Sequence, residues 1–319
     1  MKRSGGGMHQ PAPPPCPCAP LCATPTSSPP SELFGFGAGG WPLFDWSRIT
    51  TLAWPGDAGV DLVCHAHRHG ARVISGAPAP LFSPDALRRE GWIHALLDSV
   101  RSRWLDGVTF DYEEPMEKSS ARMAQYAALV NETTRALHAA IPGSQVSVCV
   151  PWSPDAIDGR DYDFLALAEA SDLLYVMAYD TRSQIYGRCI ASANSPLSIA
   201  LRGLTRYIQL GIPAQKLILG TPWYGYAYPC LNDAPDDAEI CRIPLSPFFN
   251  YKADGKLHQM WYDNAYSSQL KYAAAKRLGV RGVGPFTWGD LDNNGSITGN
   301  PRAKAEAKAM WAALDAFKR

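Results

Sequence analysis

The chain lacks any window of about 18 consecutive apolar residues, so a membrane-spanning helix is not expected and no membrane partner is assigned. It also lacks a charge excess: 30 Lys and Arg balance 30 Asp and Glu, with no basic block. That pattern excludes a nucleic-acid footprint and makes an uncharged partner the expectation. Charged residues are scarce, at 19% against 46% hydrophobic, which excludes a disordered chain and suits a large buried core. The first thirty residues contain Lys2 and Arg3 but no apolar h-region, so no signal peptide is legible there.

What the chain does have is cysteine. Eight are present, three bunched as Cys16, Cys18 and Cys22 and another spaced pair at Cys230 and Cys241, more than a reduced cytosolic enzyme usually carries. An oxidising compartment follows as the expectation, and two sequons, Asn131-Glu132-Thr133 and Asn294-Gly295-Ser296, fit a secretory route. Spacing leaves the connectivity open, and buried thiols with a metal clip at the N-terminus are the alternative. The bunched cysteines have no fourth ligand nearby, so no metal is expected. His65, His67 and His69 precede Gly70, a helix stop, and a helical face would align only His65 and His69, which points to a structural role. Gly35 to Gly40 literally fits G-x-G-x-x-G, but the helix that should follow meets Trp41-Pro42; no dinucleotide or other cofactor is expected.

Residues 1–30 are rich in Pro, Gly, Ser and Cys without period and read as a disordered tail or linker. From Ser31 onward short apolar runs alternate with helical patterns. The runs are Leu33 to Ala38, Ile49 to Trp54, Ala71 to Gly76, Leu105 to Glu113, Gln145 to Trp152, Leu173 to Asp180, Leu217 to Tyr226 and Gly282 to Trp288. Ser83-Pro84-Asp85, Ser119, Asn264 and Pro301 each mark a helix start. Eight βα units over residues 31–319 predict one catalytic (β/α)8 barrel, a TIM barrel, with a loop excursion after strand 7 spanning Cys230 to Lys256.

The chemistry concentrates in Asp106-Gly107-Val108-Thr109-Phe110-Asp111-Tyr112-Glu113. Strand alternation puts Thr109, Asp111 and Glu113 on one face and Val108, Phe110 and Tyr112 on the other. Two carboxylates thus enter the barrel at the C-terminal end of a strand, where such barrels keep their active sites. Their mutual repulsion should raise one pKa toward what a general acid needs, and Glu113, nearer the mouth, is the natural donor. A rim salt bridge is the plain alternative. Tyr175 to Asp180 ends another strand, with Met177 and Tyr179 on one face and the phenol in need of a polar partner. Trp152, Trp223, Tyr224, Trp261 and Trp288 lie at or beyond strand ends or in the excursion, as a carbohydrate cleft would use them.

At this point the sequence resembles glycoside hydrolase family 18, the chitinases, and its chitobiase branch. The carrying motifs are Asp106 to Glu113, Met177-Ala-Tyr-Asp180 followed by Ser183-Gln184-Ile185, Gly220 to Tyr226, and His258 to Asp263. The resemblance implies Glu113 as acid/base, Asp111 as the group orienting the substrate acetamide, and Tyr179 as donor to its carbonyl oxygen. It places Asp106, Thr109, Trp152, Met177, Asp180, Gln184, Trp223, Tyr224, Trp261 and Trp288 around the substrate. It implies N-acetylglucosamine oligosaccharides as partners, a monomer and a lysosomal location, with Trp261, Tyr262 and Asp263 closing the reducing side. Three departures stand out. Thr109 occupies a position where many chitinases have Asp, Phe286 and Trp288 compete for the floor tryptophan, and the excursion is short. A silent sugar-binding relative, a lectin on the same barrel, is the alternative; that class typically loses the terminal Glu, which is present here as Glu113.

Overall fold

The computed structural model describes residues 15–26, 29–181, 191–229 and 245–318. In chain order the elements are β1 (Glu32–Phe36), β2 (Thr51–Ala53), α1 (Val60–Arg68), β3 (Arg72–Gly76), α2 (Ala86–Ser102), β4 (Gly107–Phe110), α3 (Ala121–Ala140), β5 (Gln145–Pro151), α4 (Phe164–Ala170), β6 (Leu173–Met177), α5 (Leu197–Gln209), β7 (Leu217–Pro222), β8 (Tyr226–Pro229), β9 (Phe248–Ala253), β10 (Lys256–Trp261), α6 (Ala265–Arg277), β11 (Gly282–Phe286), α7 (Ala303–Ala313) and α8 (Asp315–Lys318). Strands β1 to β7 and β11 close into a parallel barrel, β11 pairing with both β7 and β1. All eight sequence-predicted runs supply its strands.

The helices obey the local signals. Asp85 caps α2 through Leu87 N–H, and Asn264 forms a capping box with Ser267 at the start of α6. The first unit differs from the expected βα repeat. Only a 3-10 turn, Trp41–Leu43, follows β1, because Pro42 cannot extend a helix there. The excursion is also more than a loop: β8, β10 and β9 form an antiparallel sheet, and Tyr226 pairs with Trp261.

Two apolar layers result from the alternation along each strand. Phe34, Phe36, Ile74, Cys149, Tyr175, Met177 and Tyr179 fill the interior, while Val108, Phe110, Val148, Val176 and Leu219 face the helices. Residues 15–26, inside the expected tail, lie against the barrel foot. The Cys16–Cys22 disulfide closes a loop within them, the Cys18–Cys64 disulfide ties them to α1, and Arg72 donates to the Pro25 carbonyl.

Candidate active site

Strand β4 carries the site. Its residue Gly107 sits at φ 148°, where a Cβ would lie 1.8 Å from the Gln145 carbonyl oxygen, so only glycine lets β4 approach β5 this closely. Beyond it, Thr109 is buried in the barrel interior and Val108, Phe110 and Tyr112 pack outward, as the alternation requires. Asp111 and Glu113 follow at the C-terminal mouth.

Asp111 is the acid whose pKa is displaced, pushed up to about 6, first by burial and then by the Glu113 charge; the nearby Cys149 thiol and the Arg160 charge oppose this. The raised value expected of the pair therefore falls on the inner acid. Glu113 has a side chain 54% exposed and pairs with Arg160, Nη1 to Oε2 2.6 Å. Arg160 comes from the loop after β5 and also reaches Asp158 Oδ2 at 3.3 Å.

The aromatic floor beside these acids is built by Tyr179, which stacks on Phe286 at 5.5 Å, and by Phe36, Trp54 and Tyr224 around them. Asp180, at φ 47°, a left-handed conformation that Asp tolerates better than most residues, accepts hydrogen bonds from the Tyr224 and Tyr226 hydroxyls, both at 2.7 Å. Burial raises both phenol pKa values, so each remains a donor to that carboxylate. Met177 lies in the interior layer beneath Tyr179.

Several expected substrate contacts lie elsewhere. Asp106 precedes β4 and sits at its N-terminal foot, opposite the mouth, accepting from Val73 N–H at 2.6 Å and bonding His67 Nε2 at 2.8 Å. Trp288 is fully buried among the helices, stacked on Trp311 at 5.1 Å, because β11 ends at Phe286 and the 3-10 turn Trp288–Asp290 swings it outward. Trp223 joins the same cluster and donates to Tyr272 Oη. Trp152 packs outward too, with Arg202 over its ring. Trp261 is buried under Phe248 and bonded to Gln259, and Asp263 is sealed against Lys271 at 2.6 Å, so neither closes the reducing side. Tyr262 meets the Phe249 ring instead. Gln184, Cys189, Cys230 and Cys241 lie outside the described residues.

Phe36, Trp54, Cys149 and Arg160 were not singled out from sequence. The first three had a signal: Phe36 and Cys149 share strand parity with inward residues, and Trp54 ends a strand run. Arg160, in an irregular loop, had none. Together the mouth offers a proton donor, a carboxyl beside it on the same strand, a phenol from the end of β6, two strands away, and an apolar ring floor. This set can protonate a glycosidic oxygen while an aromatic surface carries a sugar face.

The model of glycosyl hydrolases family 18 matches residues 79–290. The di-N-acetylchitobiase of Mus musculus is 36% identical over 94% of this chain and 92% of its own length, and that of Homo sapiens is 35% identical over 94% and 88%. Among solved structures, a class V chitinase from Nicotiana tobaccum superposes with a TM-score of 0.67 at 17% identity, covering 88% of this chain and 99% of that one. A chitinase from Chromobacterium violaceum gives 0.66 at 18%, covering 90% and 99%. These two likenesses concern the fold. The matched model spans more than half of the chain, the chitobiases align along nearly all of it, and the chain belongs to glycosyl hydrolases family 18.

Proposed function

We propose that this protein hydrolyses the β-1,4 bond between N-acetylglucosamine units, acting on the chitobiose unit of chitooligosaccharides and N-glycan fragments. The observation that carries the reading is the placement of Asp111 and Glu113 two residues apart at the mouth end of β4, with Tyr179 beside them. Glu113, exposed at the rim, donates the proton to the leaving oxygen.

The stereochemistry follows from the same placement. A retaining glycosidase of the ordinary kind needs a second carboxylate about 5 Å from the acid and across the scissile bond. Asp111 lies beside Glu113 on one strand, and Asp180 is engaged by two phenols. The substrate's own 2-acetamido oxygen is then the nucleophile, attacking the anomeric carbon as the C–O bond breaks. Asp111 takes the acetamide N–H and Tyr179 steadies the oxygen, so the group is aimed before it reacts. Water, deprotonated by Glu113, opens the cyclised sugar with net retention.

The disulfides suit an oxidising compartment, and a lysosomal, monomeric enzyme is the expectation carried over from the resemblance. No described helix is long and apolar enough to cross a membrane. The test is incubation of purified protein with chitobiose and end-labelled chitotriose, followed by an early NMR time course. The expected result is retained β-product, strong inhibition by a thiazoline mimic and no turnover of the matching cellobiose. Inverted first product, or comparable cleavage of cellobiose, would refute it.

A further inference from the structure

The Tyr179 phenol has nothing to hold its tip. Its ring packs on Phe286 and edge-on to Tyr224, and its hydroxyl has no hydrogen-bond partner among the described residues. The aim of the hydroxyl is therefore set by those two rings and by the backbone that carries it. That backbone is irregular: β6 ends at Met177, and Asp180 then turns left-handed at φ 47°, a conformation that costs free energy and persists only where the surroundings impose it.

Two consecutive residues impose it. The Asp180 N–H donates to Asn194 Oδ1 at 2.6 Å, and the Thr181 N–H and hydroxyl both donate to the Asn194 carbonyl, at 3.2 and 3.0 Å. On the other side of Tyr179, the Ser195 hydroxyl donates to the Ala178 carbonyl at 2.5 Å. Asn194 and Ser195 are 4% and 0% exposed, and Pro196 joins them to α5, whose Tyr207 hydroxyl is bonded to the Pro151 carbonyl of β5. The Asn194 amide nitrogen is sealed without a partner among the described residues. Burying that donor costs free energy, so the amide stands there for its oxygen.

We propose that Asn194 and Ser195 are positioning residues for Tyr179: they clamp the chain on both sides of it, so that its hydroxyl is aimed before a sugar acetamide arrives. This rests on the substrate-assisted reading, in which Tyr179 steadies the acetamide oxygen. A donor aimed in advance acts as charge develops on that oxygen, so the clamp serves kcat more than KM.

The test compares wild type with Asn194→Leu and Ser195→Ala, each alone and combined with Tyr179→Phe, which keeps the ring and removes the hydroxyl. Asn194→Leu should lower kcat on chitobiose by on the order of tenfold, the worth of about one hydrogen bond, with KM changed less than about threefold; Ser195→Ala should lose less. In the Tyr179→Phe background each should cost less than about twofold, because no hydroxyl remains to be misplaced. A second readout needs no activity: the Tyr179 signal in an NMR spectrum of isotope-labelled tyrosines, assigned as the one lost in Tyr179→Phe, should shift or split in Asn194→Leu. If Asn194→Leu does not fold, Ser195→Ala carries both readouts. An equal loss of kcat with and without the Tyr179 hydroxyl, or an unmoved Tyr179 signal, would overturn the proposal. A wild-type protein without activity on N-acetylglucosamine oligomers would sink the substrate-assisted reading instead, while the spectrum still decides whether the clamp holds the ring.

Discussion

Arg160 Nη1 lies 2.6 Å from Glu113 Oε2, so the acid of the site rests against a guanidinium supplied by a neighbouring loop. Arg160 is buried while Glu113 is half exposed, so solvent screens the pair on the Glu113 side and its contribution to folding is modest. Its weight falls on the chemistry, because a cation beside the acid stabilises the carboxylate left after proton donation. Arg160→Met should therefore slow cleavage of chitobiose, by on the order of tenfold, more than cleavage of an aryl glycoside whose phenolate leaves with little proton assistance. Equal losses on both substrates would reduce Arg160 to a loop anchor.

Glu113→Gln keeps the shape of the side chain and removes its proton. We expect kcat to fall by about 10²–10⁴-fold while calorimetric binding of chitotriose persists. Retention of more than about a tenth of wild-type kcat would exclude Glu113 as the acid.

Phe286 and Trp288 should separate function from stability. Phe286→Ala removes floor surface beside Tyr179 and is expected to depress kcat/KM with a modest change in the denaturation midpoint. Trp288→Ala opens a cavity against Trp311 and Trp223 and should destabilise the fold by about 3–5 kcal/mol in denaturant titrations. The opposite pattern would put Trp288 in the cleft after all.

His67 ties the N-terminal segment to the foot of β4, its Nδ1 on the Leu21 carbonyl and its Nε2 on Asp106. Both partners are acceptors, which favours the doubly protonated ring. Burial works against that charge, but the Asp106 hydrogen bond and charge, with the Leu21 carbonyl, hold the pKa above the ordinary histidine value. A raised folded-state pKa means that this contribution is complete below about pH 6.5 and is lost as pH rises through the folded value. Thermal melts should show wild type losing stability relative to His67→Gln between acidic and mildly alkaline pH. A constant difference across that range would count against the charged pair.

Much of the barrel was legible from residue pattern, because period-2 alternation depends only on backbone geometry. It placed eight strand runs, the inward face of β4 and the inward Met177 and Tyr179. The same parity rule, applied to β5 and β7, would have sent Trp152 and Trp223 outward, since Cys149 and Ile218 mark the inner faces. Parity fails where a strand stops: Trp288 shares the parity of Phe286, yet the turn after β11 carries it into the helical layer. Asp106, in the signature that holds both acids, belongs to the foot because it precedes β4, whose length separates it from the mouth at the other end. Local sequence thus determined which residues form strands and which side chains alternate. Only the closed barrel decided that Arg160 meets Glu113 and that Cys18 bonds Cys64, because each contact joins residues distant in sequence whose separation is set by strand register and loop path.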